Sequence, residues 1–218
     1  MAQINTNTYS LNAQRNLAKN SLGLSSAIER LSSGLRVNSA KDDASGLATG
    51  MQKEASARVT AVEIRQAQDA ISAAQIGDGA LSVVGDIVTR IIELNKMGGG
   101  TAEINLLTAQ AATIQTDAAA KGGVFTSVNV TDAATSATLT EVSNSRATAG
   151  ATMNNQEYAI QALRVSYENQ QAARSRIMDA DFAEETSRLS RFQVLQQAGT
   201  AMIAQANAIP QNVLSLLR

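Results

Sequence analysis

The chain contains no cysteine, no histidine and no tryptophan, and a single proline, Pro210, among its 218 residues. Without thiols or imidazoles, the usual ligands of a transition-metal site and the commonest side-chain bases are missing. Most familiar active sites are thereby excluded, and no metal or cofactor is expected. A metalloprotease motif such as H-E-x-x-H is impossible in a chain without histidine. The lack of cysteine says little about compartment, since secreted proteins without disulfides exist. Aromatic residues make up only 3% of the chain, and Ala, Ser, Thr, Gln and Asn fill the places of bulky core residues. A thick globular core is therefore not expected. Helices packed side by side need only narrow apolar seams, and a nearly proline-free chain lets such helices run.

Charge of one sign is also lacking, with 18 Lys and Arg against 19 Asp and Glu and a net charge of −1. No basic footprint for nucleic acid and no polybasic patch for anionic membranes is present. The first residues, MAQINTNTYSLNAQRN, have neither a charged nor an apolar leader region, so no cleavable secretory signal is expected. The length allows one or two compact units.

What is present is helical periodicity. Leu17, Leu24, Ile28, Leu31 and Leu35 recur at spacings of seven, four, three and four, which predicts a first helix that frays near Ser32-Ser33-Gly34. Ser39 is the expected cap of a second helix, with Asp42 three residues on, and Asp42 and Asp43 read as residues of a helix start rather than as catalytic carboxylates. That helix is predicted to continue to Met97, a run of about 55 residues and roughly 80 Å. Gly98-Gly99-Gly100 stops it, and an Ala-rich third helix from about Ala102 to Ala120 turns back along it. Gly122-Gly123 opens two β-branched stretches, VFTSVNV and SATLTEV, which predict a small β-hairpin near 122–142. A further helix is expected from Met153 to about Met178, followed by a break or new cap at Asp179-Ala180-Asp181.

The last segment carries the clearest pattern. Phe192, Leu195, Gly199, Met202, Ala206, Ile209, Val213 and Leu216 alternate strictly by three and four, a coiled-coil seam that requires helical partners. Pro210 lies inside it and predicts a kink or frayed turn. From Phe192 to Leu217, and again from Ala2 to Gln14, there is no charged residue. Solvated helices normally carry Lys and Glu on their outer faces, whereas Gln, Asn, Ser and Thr can be buried when paired. Gln193, Gln196, Gln197, Gln205, Asn207, Gln211 and Asn212 interrupt the apolar residues too often for membrane insertion. The burial is therefore expected within protein. Many copies packing their terminal helices together account for it best, since uncharged faces avoid repulsion between identical subunits. The ends of an isolated subunit are then expected to be poorly ordered.

Three blocks carry a specific resemblance: MAQINTNTYSLNAQRNL at the start, ERLSSGLRVNSAKDDASG from Glu29 to Gly46, and SRLSRFQVLQQAGTAMIAQANAIPQNVLSLLR from Ser187 to Arg218. They closely resemble the terminal regions of bacterial flagellins, the subunits of the filament that bacteria rotate to swim. ARSRIMDADFAEE, from Ala173 to Glu185, extends the likeness, and only about residues 98–150 depart from the common pattern. The resemblance implies a mainly α fold of long antiparallel helices. Residues 1–42 with 180–218 would form a terminal inner-tube coiled-coil domain, disordered in the free monomer, and 43–179 a helical rod bearing the hairpin. It implies a short form without large outer domains, and a thin, smooth extracellular filament. Export would run through the flagellar type III apparatus without signal cleavage.

The implied partners are other copies of the chain, the export chaperone on roughly Ser187 to Arg218, the filament cap and the hook-filament junction proteins. Some flagellins are sensed by Toll-like receptor 5 over the segment matching Gly85 to Met97. This chain keeps Arg90, Glu93 and Leu94 there, although Ala112 stands about where receptor-active members carry an acidic residue. A solvated helix face explains Arg90 and Glu93 equally well. Two other readings are a hook-filament junction protein, against which QNVLSLLR and SSGLRVNSAKDDASG speak, and a secreted type III translocator or binding module. The translocator would show a lipid-compatible apolar stretch, and none is visible.

Overall fold

The computed structural model describes residues 7–216, with side chains to residue 208. The described residues form five helices: α1 (Thr8–Ser33), α2 (Ala44–Met97), α3 (Thr101–Ala120), α4 (Ser136–Met178) and α5 (Phe182–Leu216). The mainly α expectation holds. Two compact units are formed, one from the residues up to Glu54 with those from Gln171 onward, the other from Ala55–Gln170.

In the first unit α1 begins where the Asn7 side chain accepts from the backbone N–H of Ser10 at 3.1 Å and so satisfies a first-turn donor. It ends at Gly34, whose φ of 70° would strain any residue with a Cβ. The chain then forms an isolated antiparallel bridge between Leu35 and Asp179. The Arg36 N–H donates to the Met178 carbonyl at 2.7 Å, and the Ala180 N–H to the Gly34 carbonyl at 2.9 Å. The expected break before the last helix is a cap: Asp181 Oδ1 accepts from the backbone N–H of Ala183 and Glu184.

The cap of α2 differs from expectation. Asp43, not Ser39, is the capping residue, its Oδ1 accepting from the Gly46 N–H at 2.8 Å. Ser39 and Asp42 instead close the preceding turn, where the Asp42 carboxylate accepts from the backbone N–H of Asn38 and Ser39 and from the Ser39 hydroxyl. These bonds, led by the Ser39 N–H, hold the Asp42 carboxyl below the ordinary carboxylate range. Two adjacent aspartates compete for one role, and the second stands next to the first helical residue. The helix α2 runs for 54 residues. Contrary to expectation it does hold an 18-residue window apolar enough in length and composition to cross a membrane, with a mean hydropathy of 1.2 and 33% of the window buried inside the protein.

In the second unit, Leu81, Val84, Ile87, Val88, Ile91 and Leu94 of α2 meet Ile104 and Ala111 of α3 and Val142 of α4 in one core. The expected hairpin is absent: among the described residues no strand forms, and SATLTEV is the first part of α4. Two facts explain this. Leu139, Val142, Ser145 and Ala149 recur at helical spacing, and burial of the last three outweighs the local preference of threonine and valine for strands. VFTSVNV stays extended but finds its partner in a side chain. The Gln115 amide donates through Nε2 to the Val128 carbonyl at 3.0 Å and accepts from the Val128 N–H at 2.8 Å, as a neighbouring strand would. Val128 and Val130, two residues apart, both enter the core. Val124 adds a bond from its N–H to the Ala73 carbonyl.

Gln115→Leu would leave both buried backbone groups of Val128 without partners. A loss of roughly 2–4 kcal/mol of stability is expected, visible as a lowered midpoint in urea denaturation followed by circular dichroism.

Candidate assembly interface

The seam read from the sequence is divided by the structure. α1 and α5 lie antiparallel, so that Phe192 stands over Gly23, Gly199 faces Leu17, and the Asn7 Nδ2 donates to the Ala206 carbonyl at 2.8 Å. Phe192, Gly199 and Ala206 are seven apart and form the line of closest approach. A Cβ on Gly23 would come within 2.6 Å of the Phe192 ring, and one on Gly199 within 3.1 Å of Leu17 Cδ1. Each helix supplies one large residue and one glycine, which lets the backbones come close.

The other row of the seam is not closed within the subunit. Leu195 is exposed and Met202 is 63% exposed, as is Val194 beside them. On α1, Leu24 and Leu31 are half-buried, but Ile28 is exposed along with Tyr9, Leu11 and Leu22, the last at 73%. Leu35 lies beyond α1, half-buried at the bridge to Asp179. The helix α5 continues through Pro210, where a kink or frayed turn was expected, while the side chains of Ile209, Val213 and Leu216 lie outside the described residues. Gln193, Gln196, Gln197, Gln205 and Asn207 surround the exposed apolar residues. On α5 the result is a surface that is apolar in a stripe, hydrogen-bonding beside it, and uncharged from Phe192 onward.

On α1 the exposed Arg15, Lys19 and Glu29 carry charge, and a charge cluster joins the two helices at the base of the pair. Glu185 is 5% exposed, and its Oε1 accepts from Arg30 Nη1 of α1 and from Arg188 Nη1 of α5, each at 3.3 Å. Sequence reasoning missed this cluster, and it also missed Gly23 and Asn7. An isolated glycine inside a helical pattern was the available signal for the close approach at Gly23. For Asn7 it was an amide side chain three residues ahead of Ser10.

The residues proposed for a receptor face lie in the second unit. Arg90 is exposed and ion-paired, donating to Glu103 from Nε at 3.2 Å and Nη2 at 3.1 Å, and to Glu93 at 3.3 Å. Glu103 first and Glu93 second raise the guanidinium above its ordinary value. Leu94 is a core residue and is not presented on that surface.

The pattern of two long, paired terminal helices, the last of them uncharged from Phe192 onward, has a match among known families. Residues 4–117 match the model of the bacterial flagellin N-terminal helical region, and residues 131–217 that of the bacterial flagellin C-terminal helical region. The chain belongs to the bacterial flagellin family. It is similar to a flagellin of Halalkalibacterium halodurans, 34% identical over 99% of each chain. It is also similar to the flagellar filament 33 kDa core protein of Treponema phagedenis, 31% identical over 99% of each chain. A flagellin of Salmonella typhimurium is 36% identical over 71% of this chain but only 34% of its own length, which marks this flagellin as a short form. Flagellin is a structural protein of the filament, not an enzyme. The stretch between the two family matches, 118–130, contains the extended segment held by Gln115.

Gly199→Leu is expected to force α1 and α5 apart and to abolish seeded filament growth. The addition of Leu17→Ala should restore part of that growth by vacating the space, and electron microscopy of the single and double variants checks both outcomes.

Proposed function

We propose that the uncovered row of the seam, with the exposed apolar residues of α1, is the surface through which each flagellin subunit docks on its neighbours. The supporting observation is the coincidence of large exposed apolar side chains, Val194, Leu195 and Met202, with the uncharged run of α5 from Phe192 onward, beside exposed Leu22 of α1. Exposed apolar patches of this kind mark contact surfaces, and a surface free of charge meets copies of itself without repulsion. In this reading residues 1–42 and 180–218 line the inner tube of the filament, and 43–179 form a helical rod. The terminal helices gain their full order on assembly.

The same reading assigns the finer partners that the family resemblance implies. The chain leaves the cell through the flagellar type III apparatus and functions outside it, at the filament. An export chaperone covers roughly Ser187 to Arg218 beforehand, the cap directs insertion at the tip, and hook-filament junction proteins meet the first subunits. Arg90 and Glu93 offer an exposed, mutually paired face to Toll-like receptor 5, supported from beneath by Leu94.

Leu22→Asp and Leu195→Asp test the docking surface. Each places a carboxylate where a neighbour would bury it, at a cost of several kcal/mol per contact, so the soluble protein should keep its helicity by circular dichroism while seeded filaments fail to grow. Normal filaments from either variant, seen by negative-stain electron microscopy, would remove the assignment of that surface.

A further inference from the structure

The exposed row of α5 includes one side chain whose polarity can be changed by a covalent step. Met202 is 63% exposed, and within one turn on either side of it stand Ala198, Gly199, Gln205 and Ala206, with no charged residue anywhere from Phe192 to Leu217. We infer that Met202 is an oxidation site, and that its conversion to the sulfoxide by a hydroperoxide prevents the subunit from joining the filament. This rests on the reading that the row is buried between copies.

The step is balanced by hydrogen peroxide alone. A sulfur lone pair attacks one peroxide oxygen, the O–O bond breaks and the S–O bond forms. The proton on the transferred oxygen passes to the departing one, which leaves as water. Sulfur gives up two electrons and the peroxide accepts them. The product replaces a flexible apolar thioether with a strong hydrogen-bond acceptor. In water that acceptor is satisfied. Pressed against a neighbour's apolar stripe it is not, and the cost of desolvating it recurs at every subunit added.

Two other methionines separate this effect from oxidation in general. Met51 is 62% and Met97 67% exposed, so both react as readily as Met202. Met51 stands beside Lys53 and Glu54, and Met97 lies between Lys96 and the Gly98-Gly99-Gly100 turn. Neither belongs to the uncharged stripe, and their sulfoxides can stay in solvent.

The full-length soluble protein is treated with hydrogen peroxide, the sulfoxides are located by peptide mass spectrometry, and elongation from filament seeds is timed beside untreated protein and beside Met202→Leu given the same treatment. The expected result is roughly tenfold slower elongation for oxidised wild type. Met202→Leu should elongate at its untreated rate even with Met51 and Met97 oxidised. Undiminished elongation of wild type carrying the Met202 sulfoxide would overturn the inference, as would an equal loss in treated Met202→Leu. Failure of the untreated wild type to elongate on any seed would instead strike the docking surface itself, and the inference with it.

Discussion

Close approach of two helices along a single line governs the terminal unit. A coiled coil normally turns two rows of each helix toward its partner, and both are then buried. Here Phe192 lies over Gly23 and Leu17 over Gly199, so contact is drawn in at one row. Residues 192, 199 and 206 drift by only about 20° per heptad on a straight helix, which keeps that row facing α1 across the described length. Leu195 and Met202 sit roughly 60° around the helix from it and are left outside. The glycines that tighten the intramolecular pair are thus the reason that half of the seam remains exposed within the subunit.

The second unit solves a different problem, that of filling a core from a chain with few aromatics. Leu, Val and Ile on α2 supply half of the twelve core residues, and their branched side chains need little depth. The connection from α3 to α4 is then laid along the helices as an extended strip, with Val128 and Val130 turned inward. Such a strip has backbone groups to satisfy and no sheet to satisfy them. Gln115 does so with one amide, buried at both its donor and its acceptor, and the expense of burying a polar side chain is offset by the two bonds it completes.

The stops of α1, α2 and α3 were legible in the sequence, because the rules that set them are local, whereas α4, expected from Met153, begins at Ser136. Three or four residues decide a glycine cap such as Gly34, and proline-free periodicity decides the length of α2. Both flanks of the last break were also readable, since Asp181 needs only its own next turn to act as a cap. The hairpin was misread because strand preference is likewise local, whereas its overriding cause, the burial of Val142, Ser145 and Ala149, depends on helices distant in sequence. Asp43 was passed over for Ser39 because two adjacent carboxylates fit the same template. At the assembly surface the seam itself was visible, but its division into a closed and an open row was not. Periodicity gives the positions on a helix that are apolar and cannot say which of them meets a glycine across the way. For the same reason Leu94 read as part of a surface, although it belongs to the core.

The placement of charge follows from the same division. Arg30 and Arg188 converge on the buried carboxylate of Glu185 where the two terminal helices leave their connecting segments. A buried ion pair adds little net stability, since desolvation consumes most of the attraction, but a wrong register would leave the charges unpaired at far greater cost. The cluster therefore fixes which residues of α1 face which residues of α5. Beyond Arg191 nothing charged remains until Arg218. Register set once at the base propagates along the helices, so the distal surface has no need of ion pairs to define it. Along α5, glutamine and asparagine supply hydrogen-bonding groups without fixed charge, which is what the proposed docking surface requires.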